Sequence, residues 1–293
     1  MTLTGYGAGE VGRFSQIATR DDGSTLIAYF DDLDKSLKLV IYRNYWIETV
    51  TIDSGTAEAA VGQFPSMVYI ASSDTAYISY YDEGAGALKL ASGNEQRGFT
   101  TGFVDNDPDN DVGKWSSLAI ATNGKIAIAY EDTTNHNLRY AEGYSLPLTI
   151  QVVSYQDWFG SDISLALLSN GDPAISCFNE TDNDLMFACR RNNVWTVRTV
   201  ASEGATGFFS SIVADNSNRV FISYANLSNR TINLAASADL QNFTSQVIYE
   251  GGSDGDPRAS SMVLDHDGYL GIAFCDVGFG QLHYARVTRP QSR

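Results

Sequence analysis

The sequence predicts an all-β chain folded as a six-bladed β-propeller with four-stranded antiparallel blades. Three observations carry this expectation. A short segment recurs six times, starting at Gly12, Gly62, Gly113, Gly160, Gly207 and Pro257, at intervals of 50, 51, 47, 47 and 50 residues. Each copy is followed by the same strand-like runs in the same order. No segment shows the period of an amphipathic helix. A four-stranded unit repeated every ~48 residues is the signature of a propeller.

Strand A of each unit is the recurring segment itself: GRFSQIA, GQFPSMV, GKWSSLA, GSDISLA, GFFSSIV and PRASSMV. It ends in turn sequences such as DDGS (21–24), TNG (122–124) and DHDG (265–268). Strand B reads IAYFD, ISYYD, IAYED, ISCFN, ISYAN and IAFCD, and strand C reads LKLV, LKLA, LRYA, LMFA, INLA and LHYA. Strand D is a weaker alternating run such as WIETVTI (46–52) or FTSQVIY (243–249). Runs of this length separated by Gly, Asn and Asp are antiparallel meanders. One domain spanning 1–293 follows, with blades near 11–60, 61–111, 112–158, 159–205, 206–256 and 257–293. The sixth copy lacks a strand D, and residues 1–10 are expected to supply it and close the ring.

Strand B ends in Asp31, Asp82, Asp132, Asn179, Asn226 and Asp276. Six copies of one short polar residue point to a turn, because Asp and Asn accept the backbone N–H groups that follow them. The aromatics Phe14, Phe64, Trp115 and Phe209 and the strand-B tyrosines are expected in the core, with an aromatic binding ladder as the other reading.

The charge is −16 and the pI about 4.4. Such a surface repels phosphate backbones and anionic membranes, which argues against a nucleic-acid or membrane partner. No apolar run approaches the ~20 residues of a membrane span. The start, MTLTGYGAGE, has neither the basic nor the apolar region of a signal peptide. Cys177, Cys189 and Cys275 are odd in number and lie in apolar runs, so no disulfide framework is expected.

Shared positions build the scaffold, so function is sought where the copies differ. The position after each repeat start is cationic in three copies, Arg13, Lys114 and Arg258. Blades one and six adjoin in a closed ring, which would bring Arg13 and Arg258 together as guanidinium forks for a carboxylate or sulfate. Their other reading is a solvated balance to the acidic linkers. Trp115 and Asp162, which breaks the aromatic rule, complete the candidate ligand site at the channel mouth. VDNDPDNDVGKW (104–115) places Asp105, Asp107, Asp109 and Asp111 in alternation. It starts like a calcium loop, but Asn110 and Ser116 stand where such a loop needs Gly and Glu. It is an inter-blade linker by position, with a structural Ca²⁺ as the one cofactor it suggests. The three histidines fall in unlike places, and no nucleophile elbow, P-loop or HExxH occurs.

With the motifs aligned, ISYYD (78–82), LKLA (88–91) and the strand-turn SSLAIATNG (116–124) resemble a repeat widespread in bacterial and phage propellers. Such chains are loosely similar to sialidase-like and lectin propellers. The sialidase box S-x-D-x-G-x-x-W has no match here. The resemblance implies the fold; the regular copies, the lack of a catalytic constellation and the acidic surface point to a non-enzymatic recognition or structural module that binds a glycan or protein through the channel mouth, on a surface or a virion and within a larger assembly. The alternative is a glycoside hydrolase or lyase acting on an acidic glycan.

Overall fold

The computed structural model describes residues 11–154 and 159–289, apart from the side chains at 11–13 and 159. The fold is an all-β six-bladed propeller built from antiparallel sheets. The first sheet holds β1 (Val11–Thr19), β2 (Thr25–Asp31), β3 (Ser36–Arg43) and β4 (Trp46–Ser54). The second holds β5 (Val61–Ile70), β6 (Thr75–Asp82), β7 (Ala87–Asn94) and β8 (Gly98–Asp105), and the third β9 (Val112–Ile120), β10 (Ile126–Asp132), β11 (Asn137–Gly143) and β12 (Thr149–Val152). The fourth comprises β13 (Phe159–Leu167), β14 (Pro173–Asn179), β15 (Asp184–Arg191) and β16 (Val194–Ala201). The fifth comprises β17 (Thr206–Ala214), β18 (Val220–Asn226), β19 (Thr231–Ser237) and β20 (Thr244–Glu250). The sixth has three strands among the described residues, β21 (Pro257–Leu264), β22 (Tyr269–Asp276) and β23 (Gln281–Thr288). The expected closure by residues 1–10 lies outside the described residues. Among the described residues no helix is long and apolar enough to cross a membrane.

The chain groups into two compact units. One comprises the described residues of 1–120, 124–135 and 141–150, and the other those of 121–123, 136–140 and 151–293. In each, the apolar core lies between successive sheets. Leu26, Leu39, Ile78 and Tyr80 join the first two sheets, and Leu88, Val112, Ile128 and Tyr130 the next two. In the other unit, Phe187, Ile222 and Tyr224 join the fourth and fifth, and Ile232, Met262 and Phe274 the fifth and sixth. The strand-B tyrosines Tyr80, Tyr130 and Tyr224 are therefore core, as expected, whereas Tyr29 is half-buried. Leu282 differs: it is exposed on β23, the last strand described in its sheet.

Three features of strand A explain the repeat. The first is a bulge. Ser117 faces Ala129 and Lys114 faces Glu131, so one extra residue sits in β9, and the same shift recurs in the other sheets. The bulged residue has positive φ at Phe14 (53°), Phe64 (51°), Trp115 (53°), Asp162 (52°), Phe209 (54°) and Ala259 (54°). That region costs a non-glycine residue roughly 1–2 kcal/mol. The second is the serine pair. Ser116 Oγ donates to the Phe64 carbonyl (3.0 Å) and lies 2.8 Å from Ser79 Oγ, while Leu118 N donates to Ser66 Oγ (2.9 Å). Ser210 and Ser260 repeat the first contact on the Asp162 and Phe209 carbonyls, and Ser164 and Ser211 the second. These bonds stitch β9 to β5, β17 to β13 and β21 to β17. The third is the leading glycine, which abuts the preceding sheet.

The strand-B acids cap turns as expected. Asp31 Oδ1 accepts from Leu33 N (3.0 Å), Asp82 Oδ1 from Ala85 N (3.1 Å), and Asn179 Oδ1 from Thr181 N (2.9 Å). Asp132, Asn226 and Asp276 do the same.

Candidate functional site

Two of the three cations expected at a common rim are paired with their own linkers. Lys114 Nζ donates to Asp111 Oδ2 (2.8 Å) and lies 5.2 Å from the centre of the Tyr81 ring. Arg258 Nε donates to Asp256 Oδ1 (2.9 Å). The Arg13 side chain lies outside the described residues. Trp115 joins an aromatic cluster drawn from three successive sheets. Its ring centre is 4.8 Å from Phe64 and 6.3 Å from Phe14, and Phe14 lies 4.4 Å from Phe64. The bulge produces this convergence, because positive φ turns each ring out of the strand's normal alternation.

The acidic linker sends its carboxylates to different partners. Asp105 Oδ2 accepts from Tyr130 OH (2.7 Å). Asp107 accepts from Asp109 N (3.1 Å) and Asn110 Nδ2 (2.6 Å). Asp111 accepts from Tyr81 OH (2.6 Å) as well as Lys114. Among the described residues no group of three or more His, Cys, Asp or Glu side chains is placed to hold a metal ion. The cysteines form no disulfide, and burial pushes the Cys177 thiol up to about 12.

Asp162 occupies the bulge position that is aromatic in four of the six copies. Burial pushes its carboxyl up to about 6. The Phe209 N–H it accepts (2.9 Å) opposes that shift, and the nearby Glu180 charge adds to it. A carboxyl whose pKa rises on folding holds its proton longer in the folded chain than in the unfolded one. Stability is then full in acid and falls as pH rises from about 4 to about 6. Asp162→Asn keeps the acceptor for Phe209 and removes the charge. It is expected to flatten this fall and to raise stability at pH 7 by up to about 2 kcal/mol, as read from urea unfolding across pH. A variant with the wild-type profile would show that Asp162 is not the titrating group.

A cavity of about 420 Å³ forms a slot between the fourth and fifth sheets, within one compact unit. The ends of β16 and the following linker form one wall, and β18, β19 and β20 the other. Asn226, Asn229, Asn233 and Gln246 line it, with Thr206, Thr231 and Tyr224. Glu203 is its single ionisable carboxylate, and no Lys or Arg lines it. Part of the polar lining is spoken for. Asn226 Nδ2 donates to the Glu203 carbonyl (2.7 Å), and Asn233 Nδ2 to Thr231 Oγ1 (2.8 Å). The Thr206 hydroxyl is buried without a hydrogen-bond partner. A polar, concave slot of this size is of the kind that accommodates a small polar ligand. Sequence reasoning missed it. The signal was present in the fifth copy, which carries Thr206, Asn226 and Asn233 where the second carries Val61, Asp82 and Lys89.

Comparison of the sequence with family models gives no match, and comparison with curated proteins gives none. Solved structures do match. A Hadza microbial sialidase aligns over 95% of this chain with a TM-score of 0.62 and 13% identity. This chain spans 66% of that sialidase's length. The leech intramolecular trans-sialidase aligns over 98% of this chain and 70% of its own, with a TM-score of 0.63 and 8% identity. AofleA from Arthrobotrys oligospora aligns over 96% and 88%, with a TM-score of 0.59 and 14% identity. At these identities the likeness is one of fold, and it places the chain's architecture among sialidase-like six-bladed propellers.

Proposed function

We propose that this chain is a glycan-recognition propeller that binds without turnover. The observation that carries the reading is the amide- and hydroxyl-lined slot between the fourth and fifth sheets. Sugars present many hydroxyls, each a donor and an acceptor, and amides and hydroxyls meet them in kind. The architecture shared with proteins named as sialidases supports a glycan ligand. The slot itself lacks the two opposed carboxyl groups that glycoside hydrolysis uses, since Glu203 stands alone there.

One observation favours a hydrolase on an acidic glycan. Burial, with the Glu180 charge adding to it, pushes the Asp162 carboxyl up to about 6, the direction a general acid needs. A glycan array followed by turnover assays on every hit separates the two readings. Binding with no product supports recognition. Product formation that Asp162→Asn abolishes would replace it with the hydrolase.

A further inference from the structure

Other junctions have equivalent positions, and strand register makes them comparable. Asp53 faces Leu37, Asp105 faces Leu88, Ala201 faces Leu185 and Tyr249 faces Ile232, so these four are equivalent. Each sits against strands B and C of the following sheet. There Tyr80 pairs with Lys89, Tyr224 with Asn233 and Phe274 with His283.

At three junctions the protein's own side chains fill the space. Between the first and second sheets, Lys89 Nζ lies 2.5 Å from Asp53 Oδ2 and 3.3 Å from Asp82 Oδ2, and Tyr80 OH donates to Asp53 (2.7 Å). Between the second and third, Tyr130 OH donates to Asp105 (2.7 Å). Between the fifth and sixth, the Tyr249 ring packs 5.0 Å from Phe274 and 4.8 Å from His283.

Between the fourth and fifth sheets the filling is gone. Ala201 ends at a methyl, Asn233 stands in the lysine position, and the cavity of about 420 Å³ opens there. Thr206 is a third departure in the same place. It faces Asn226 as Val61 faces Asp82 and Val112 faces Asp132. Its side chain is 1% exposed and its hydroxyl has no partner. Leaving a buried hydroxyl unpaired costs stability unless something else pairs with it.

We propose that this slot takes one neutral, hydroxyl-rich sugar unit and that Ala201 is the residue that opens it, an inference that rests on the glycan reading above. A sugar hydroxyl supplies the bond that Thr206 Oγ1 lacks once that closed-off side chain turns toward the slot. A carboxylate or sulfate on the ligand would be desolvated beside Glu203 with no Lys or Arg in the lining to meet it. Of the four junctions compared, this one is open, so one sugar is expected in it.

Titration calorimetry of the full chain with glucose, galactose and N-acetylglucosamine, and with glucuronic and galacturonic acids, tests this. At least one neutral sugar is expected to bind with one-to-one stoichiometry, with uronic acids roughly tenfold weaker or more. Ala201→Tyr copies Tyr249 and is expected to abolish binding. Thr206→Val copies Val61 and Val112 and is expected to weaken it roughly tenfold with no loss in melting temperature. If the tyrosine variant does not fold, the valine variant decides. Neutral sugars that bind both variants like wild type would leave the glycan reading standing and overturn the slot. Uronic acids that bind as tightly as neutral sugars would overturn the ligand class. Wild type that binds no sugar on the panel would overturn the inference, and a blank glycan array would overturn the reading beneath it as well.

Discussion

Gly207→Ala is expected to destabilise the fifth sheet by about 3 kcal/mol or more, enough to leave much of the chain unfolded in mild urea. Gly207 has φ +102°, and an added Cβ would stand 2.6 Å from Leu185 Cα and 2.7 Å from Leu185 N. Those are backbone atoms and cannot swing aside. The same approach recurs where Gly62 meets Leu37 and Gly113 meets Leu88, at 2.6 and 2.7 Å from the Cα atoms. The repeat glycine is therefore the point at which one strand A touches strand C of the preceding sheet. Gly124→Ala is the control. It also has positive φ, +85°, but open space around it, so it carries the conformational cost alone, about 1 kcal/mol. Urea midpoints read by circular dichroism measure both. Equal losses in the two variants would mean that the close approach contributes nothing. Gly207 follows Thr206, so the variant also disturbs the wall of the slot.

Much of this architecture was legible because the chain repeats itself. Three motifs in fixed order located the strands, and ISYYD announced both a buried tyrosine and a turn-capping acid. The bulge was not legible. Phe64 and Trp115 are residues that ordinarily avoid positive φ, and nothing local marks them as left-handed. The roles of Ser66 and Ser116 were hidden for another reason: their partners lie about 50 residues away, in a neighbouring sheet. The rim cations were read by type. Asp111 and Asp256, which take Lys114 and Arg258, stand three and two residues before them. The slot was hardest to see, because Ala201 acts by what it lacks and sits in strand D, the least regular motif. Its equivalence to Asp53 appears only once register is known.

The second large effect is expected at Arg20, in the other compact unit. Arg20 follows β1, and its guanidinium meets Glu95 in a fork, Nη1 to Oε1 at 2.8 Å and Nη2 to Oε2 at 2.6 Å. Both side chains are nearly buried, at 5% and 8% exposed. Asp74 adds a third charge, 3.4 Å from Arg20 Nε, and the Tyr69 ring lies 5.5 Å from the guanidinium carbon. The fork holds the Glu95 carboxyl below its ordinary range, the hydrogen bond from Arg20 acting against the penalty of burial. Removing one partner strands the other charge out of water, which is costlier than removing both. Arg20→Ala is therefore expected to cost about 3 kcal/mol in urea unfolding at pH 7, and Arg20→Met with Glu95→Leu clearly less. The pH dependence reports the same pair. A carboxyl with a lowered folded pKa stabilises the protein above its unfolded value, and that stability is lost as pH falls through the folded value. Wild type should lose it in acid, whereas Arg20→Ala, which leaves Glu95 only the exposed Arg43 at 3.8 Å, should gain relative stability there. A single variant that costs no more than an exposed ion pair, under about 1 kcal/mol, would show that solvent reaches the fork.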